Sequence, residues 1–162
     1  LEIVLMQLDT TRFGMIDVED AAVITLTQPI IGFQEYRRFV LLPGPEDRIR
    51  WLQSIEDKDL AFILLDPLQV VPDYKVELTK NDLAELAAVG IEELEVYTIV
   101  VVPEDPSKIR TNLKAPVIIN PKQRLGKQTI LERSNYPIQF FLARAQDDET
   151  NAQEVANARS DP

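Results

Sequence analysis

The chain has 162 residues, 45% of them hydrophobic and 27% charged, proportions that allow one globular domain with a real core and argue against a disordered chain. It has no cysteine and no histidine, which excludes disulfide frameworks, zinc sites of the Cys/His type and Ser-His-Asp or Cys-His nucleophile systems. A net charge of −10 repels polyphosphate, so direct nucleic-acid binding is not expected, whereas a basic protein is an acceptable partner.

In chain order, short β-branched runs alternate with Pro, Gly and acidic turns, the pattern of a mainly β domain. Strands are predicted over residues 3–8, 15–18, 22–26, 39–42, 51–54, 61–65, 95–102, 109–113, 117–119 and 128–131. Gly14 supplies a turn residue free to take φ > 0 between the first two. A short helical turn is expected around residues 34–38, pinned by Phe33 and Tyr36, and Trp51 is expected to fill core beneath the sheet. Glu56-Asp57-Lys58-Asp59 reads as a solvated turn. Thr79-Lys80-Asn81-Asp82 has capping-box form, Leu83, Leu86 and Ala87 share one helical face, and Gly90 offers a stop. Gly126-Lys127 reads as a turn between strands.

Many short strands must manage their edges, so the expected fold is a small, partly closed antiparallel β-barrel-like domain with one or two short helices. Residues 1–143 form that domain, and residues 144–162 read as a polar acidic tail, disordered or a frayed helix. No apolar run approaches the roughly 18 residues needed to span a bilayer, so no membrane contact is expected and the cytoplasm is the default location.

Chemistry-bearing clusters are sparse. The turn carboxylates Glu56, Asp57, Asp59 and Asp66 could pair as acid and base only by facing one substrate, and spacing favours solvated turns. The five glycines form no phosphate-binding pattern, and no cofactor or metal is expected. In Asn112-Leu113-Lys114-Ala115-Pro116, Pro116 denies a ladder donor, and Asn112 and Asn120 can bond nearby backbone. Two readings stay open there: a bulged strand entry holding a corner, or an irregular edge presenting backbone groups to a partner.

Asn112-Leu113-Lys114-Ala115-Pro116-Val117-Ile118-Ile119-Asn120-Pro121 resembles the hallmark segment of the FliW flagellar assembly factors. Thr11-Arg12-Phe13-Gly14, Trp51-Leu52-Gln53-Ser54-Ile55-Glu56-Asp57, Leu60-Ala61-Phe62 with Asp66-Pro67, Pro72-Asp73-Tyr74, Pro103-Glu104-Asp105-Pro106 and Tyr136-Pro137-Ile138 extend the similarity. Gln28-Pro29-Ile30-Ile31-Gly32-Phe33 departs from the family's Pro-Glu-Gly-Leu-Pro-Gly-Phe type of segment.

The resemblance implies a small β-barrel-like fold and a cytoplasmic regulator in a flagellated bacterium. Such proteins bind CsrA, a small basic RNA-binding repressor dimer, and stop it silencing flagellin translation; they also bind flagellin itself, and the two partners alternate. Expected partner contacts are Glu56, Asp57, Asp66, Pro72, Asp73, Tyr74, Glu104 and Asp105, with a contact role for Lys114 beside an architectural one. Gly14, Trp51, Asn112, Pro116 and Asn120 are expected to be architectural. The alternatives are a chaperone that holds flagellin only and a carboxylate-based hydrolase.

Overall fold

The computed structural model describes residues 2–143; the tail expected over residues 144–162 lies outside the described residues. The strands are β1 (Leu5–Thr10), β2 (Gly14–Glu19), β3 (Val23–Gln28), β4 (Arg38–Pro43), β5 (Ile49–Ser54) and β6 (Ala61–Leu65). Then come helix α1 (Lys80–Glu85) and the strands β7 (Glu95–Val101), β8 (Arg110–Thr111), β9 (Val117–Asn120), β10 (Leu125–Gln128) and β11 (Phe140–Phe141). Consecutive strands from β3 to β7 pair antiparallel, β7 pairs β9, β9 pairs β10 and β10 returns to β3, so a 7-strand barrel closes. The mainly β expectation holds, with full closure and one parallel pair, β3–β10. Closure leaves no free ladder edge in the ring itself.

Side chains alternate across each strand, so the inward set builds the barrel core. It comprises Ile24, Leu26, Phe39, Leu52, Phe62, Leu64, Val117 and Ile119, with Ile30 at one end. Each such side chain contributes about 1.5–3 kcal/mol on full burial. Trp51 departs from expectation. Its neighbour Leu52 takes the interior position, so Trp51 faces outward, where Phe13 meets it edge-on at 5.6 Å and the Arg12 guanidinium lies 4.4 Å from its ring centroid.

The β1–β2 ribbon lies against the outer face of the barrel, burying Leu8 and Val18 against Val40. Its turn docks on the turn between β5 and β6, where Thr11 N donates to Lys58 O at 3.0 Å and the Thr11 hydroxyl donates to Asp59. Gly14 takes φ +68, the freedom expected of it.

The capping box of α1 is present, with Asp82 N donating to Thr79 Oγ1 at 3.0 Å and Thr79 N to Asp82 Oδ2 at 2.9 Å. The helix ends earlier than Gly90: Ala88 N reaches Leu83 O and Ala87 N reaches Ala84 O, with Ala87 at φ 52. That is the left-handed ending usually given to glycine, and Gly90 is extended. No helix forms at residues 34–38; Phe33 N to Ile30 O and Tyr36 N to Phe33 O make successive turns there.

Gly126 and Lys127 lie inside β10 and not in a turn. A Cβ on Gly126 would stand 3.1 Å from Leu26 Cδ2, so a larger residue there would have to push Leu26 aside. Lys127 points the other way and meets α1, with Nζ 2.6 Å from Asp82 Oδ1 and 2.8 Å from Glu85 Oε2. Asn120 Nδ2 donates to Leu86 O at 2.8 Å, so α1 is tied over the outside of β9 and β10.

Burial works against the charges of Asp82 and Lys127, and their hydrogen bonds overcome it. Asp82 is held below 3.8 by Lys127 and Thr79, and Lys127 above 10.5 by Asp82 and Glu85. A depressed carboxyl stabilises the fold above its unfolded value and loses that on acidification; a raised lysine stabilises below its unfolded value and loses that as pH rises. Urea midpoints are therefore expected to fall below about pH 4 and above about pH 10, with the alkaline limb flattened in Lys127→Met. In the same assay Ala87→Gly is expected to gain about 1 kcal/mol by removing the Cβ from the left-handed position; a loss would contradict the assigned helix ending.

Candidate functional site

The segment between β8 and β9 explains itself through its backbone bonds. Val100 pairs with Thr111 and Tyr97 with Val117, so residues 112–116 span a gap that Thr98 and Ile99 fill on β7. A ladder cannot satisfy so many extra residues, and buried amides need partners. Asn112 N donates to Ile99 O, Leu113 N to Pro137 O, and both Lys114 N and Ala115 N to Asn112 Oδ1 at 3.0 and 3.1 Å. Pro116 has no amide to place. On the acceptor side, Leu113 O takes the Tyr74 hydroxyl at 2.7 Å, Lys114 O takes Leu131 N, Ala115 O takes Gln128 Nε2 and Pro116 O takes Thr129 N. Those groups are spoken for internally, an arrangement that suits a strand entry holding a corner.

Lys114 and Asn120 follow the same logic. Lys114 Nζ donates to Ser134 O, and Asn120 Oδ1 accepts from Gln123 N at 3.2 Å. Tyr74 is 7% exposed, its ring 4.6 Å from that of Tyr136, and burial followed by Tyr136 raises its hydroxyl pKa. It belongs to a satellite core with Leu113 and Leu131.

The acidic candidates do not converge. Glu56 Oε1 accepts from Arg37 N and Arg38 N, both at 2.8 Å, and these two bonds lower its pKa. Asp57 Oδ1 accepts from Asp59 N, and its charge, ahead of burial and Glu35, raises the Tyr36 hydroxyl. Asp66 lies beyond the far end of β6 from this turn, capping a short turn by accepting from Leu68 N at 3.1 Å. Five strand residues at about 3.3 Å each separate the two places, well beyond the roughly 5–9.5 Å of a carboxylate pair acting on one bond.

Asp66 and Tyr74 share the wall of a cleft of about 410 Å³ with Arg48, Arg50, Glu95 and Tyr97. Two of its carboxylates are engaged, Asp66 by Leu68 N and Glu95 through Oε2 by the Tyr97 hydroxyl at 2.6 Å, and burial, then Glu95, raises the Tyr97 pKa. A second cleft, about 720 Å³, runs between Lys75–Thr79 and Ile130–Tyr136. Pro72 and Asp73 are exposed on a turn, as are Glu104 and Asp105 between β7 and β8. Ser107 N and Oγ both donate to Asp105 Oδ1 and lower its pKa. Among the described residues no set of three His, Cys, Asp or Glu side chains could hold a metal, and no helix is long and apolar enough to cross a membrane.

Sequence reading missed the role of Gln53, which is fully buried. Its Nε2 donates to Ser54 O and Leu60 O at 3.1 Å, while Ser54 Oγ accepts from Glu56 N and Asp57 N at 3.0 Å. The available signal was two polar residues, Gln53 and Ser54, following Trp51-Leu52 just before an acidic turn.

Comparison with known proteins places this geometry. The model of the family described as FliW protein matches residues 7–142. A flagellar assembly factor FliW of Natranaerobius thermophilus is 41% identical over 133 residues, covering 81% of this chain and 88% of that protein. One from Caldicellulosiruptor saccharolyticus is 38% identical over 130 residues, covering 80% and 86%. A crystal structure of the flagellar assembly factor FliW superposes with a TM-score of 0.78 at 34% identity, covering 85% of this chain and 96% of that one.

Asn112→Ala is expected to cost about 2 kcal/mol or more, because it orphans two partly buried amides. Asp73→Ala is expected to stay within about 0.5 kcal/mol of the parent. Equal urea midpoints for the two variants would contradict the role given to Asn112.

Proposed function

Because the chain belongs to the FliW family of flagellar assembly factors, we propose that it acts by occupying other proteins. It binds a CsrA-like RNA-binding repressor dimer, keeps that dimer from silencing flagellin translation, and exchanges it for flagellin, so that flagellin secretion frees it to restrain the repressor. The cytoplasm is where both partners are made, and the proposed site of action. Neither nucleic acid nor membrane is contacted directly.

The observation that carries this reading is an acidic surface without convergence. Exposed carboxylates stand on separate turns of a closed barrel, Asp73 on one and the adjacent Glu104 and Asp105 on another. Separated surface charges of one sign suit a basic protein surface better than a small substrate. A hydrolase built on Glu56, Asp57 and Asp66 is disfavoured by their placement at opposite ends of β6. The flagellin-only chaperone differs in one respect, since it predicts no competition between the two proteins.

Titration calorimetry with the cognate repressor dimer is expected to give measurable association at low salt and a loss of about tenfold or more in affinity between 50 and 300 mM salt. Added flagellin is expected to displace the repressor. No association at low salt would overturn the reading, and association without displacement would leave two independent sites in its place.

A further inference from the structure

The β1–β2 ribbon buries one face and leaves the other bare. Leu8 and Val18, with Met6 and Ile16, turn inward onto Val40. The intervening residues turn outward, and Leu5 and Met15 are 59% and 66% exposed, with Ile3 just before β1 at 70%. Single exposed apolar residues are ordinary, but these belong to one two-stranded ribbon.

Ionised groups on that outward face are all negative: Asp9, Asp17 and Glu19, with Glu2 and Asp20 adjoining. The one cation between Glu2 and Asp20 is Arg12, whose guanidinium lies over Trp51. Among the described residues none of Asp9, Asp17 and Glu19 forms an ion pair. Like charges gathered on one sheet face are destabilising unless something neutralises them.

The ribbon also has an open edge. Asp20 N donates to Val4 O at 2.9 Å, which fixes the phase of the ladder. Because hydrogen-bonded pairs alternate in an antiparallel ladder, the amides and carbonyls of Leu5, Gln7 and Asp9 point away from β2. The ribbon is two-stranded among the described residues, and its register runs unbroken from Leu5↔Glu19 to Thr10↔Gly14. β1 carries no proline, lysine or bulge, the usual devices that blunt an edge.

We propose that the outer face and open edge of β1 are a docking surface for an extended, basic, amphipathic segment of a partner protein, which adds to the ribbon as a third strand. Its backbone pairs with Leu5, Gln7 and Asp9, and its apolar side chains cover Ile3 and Leu5. Its Lys or Arg residues, about 7 Å apart on alternate positions, reach Asp9 and the carboxylates of β2. This inference deepens the reading above and rests on it, since it takes the basic repressor dimer as the partner.

The test uses the full chain with that dimer as probe, in calorimetry and in hydrogen exchange read by mass spectrometry. Leu5→Ser with Asp17→Lys is expected to weaken association at least about tenfold, a loss of about 1.4 kcal/mol. Val89→Ser, at another apolar position that is 89% exposed, leaves it unchanged. Binding is expected to slow exchange in the peptide covering β1, and melting curves check that the variants fold. Full-strength binding by the ribbon variant, or protection confined to other segments, overturns the docking surface and leaves the proposed function standing. Absence of binding by the parent chain removes both.

Discussion

β7 pairs with β9 through Glu95, Val96 and Tyr97 and with β8 through Val100 and Val101, so a single strand changes partner along one edge. The ring can close there only if residues 112–116 leave the ladder and return without stranding their amides. Asn112 does half of that work by accepting two of the four, and Tyr74, Gln128 and the chain at residues 129–131 take up the carbonyls. This is why a motif rich in polar and proline positions sits in the most buried part of the molecule, immediately ahead of four fully enclosed residues of β9.

Closure decides where the molecule can meet others. Once the seven strands are paired in a ring, their backbone is no longer available to a partner. The outer faces of β9 and β10 are then covered by α1 through Lys127 and Asn120, and that of β4 by the β1–β2 ribbon through Leu8 and Val18. The ribbon and the acidic turns stay outside that covered surface, so a rigid scaffold presents charge on elements added to the outside. A buried ion triad under α1 is costly to assemble; its contribution here is positional, holding a helix of six residues in one place.

Much of the fold was legible because strand patterning and turn residues are local. A first strand near residues 3–8, the Gly14 turn and the Thr79–Asp82 capping box all appear as expected, since each depends on neighbours within a few residues. Features that depended on distant partners were not legible. Trp51 looked like core because of its size, yet the phase of β5 put Leu52 inside. Gly126 looked like a turn because its reason, the approach of Leu26 from β3, lies 100 residues away in sequence. Acidic turns could be found by inspection, but nothing local separated Glu56, consumed by the amides of Arg37 and Arg38, from Asp73, which is exposed. Tyr74 was misplaced for the same reason, its hydroxyl being committed to Leu113 O.

The measurement that bears most directly on this account is native-state hydrogen exchange of the free protein, resolved by residue. The amides of Tyr97, Ile118 and Ile119 are expected in the slowest class, exchanging only through global unfolding, while those of Leu5, Gln7 and Asp9 exchange orders of magnitude faster. Fast exchange along β7 and β9, or slow exchange at the open side of β1, would contradict a barrel sealed at that seam with an open strand edge on β1.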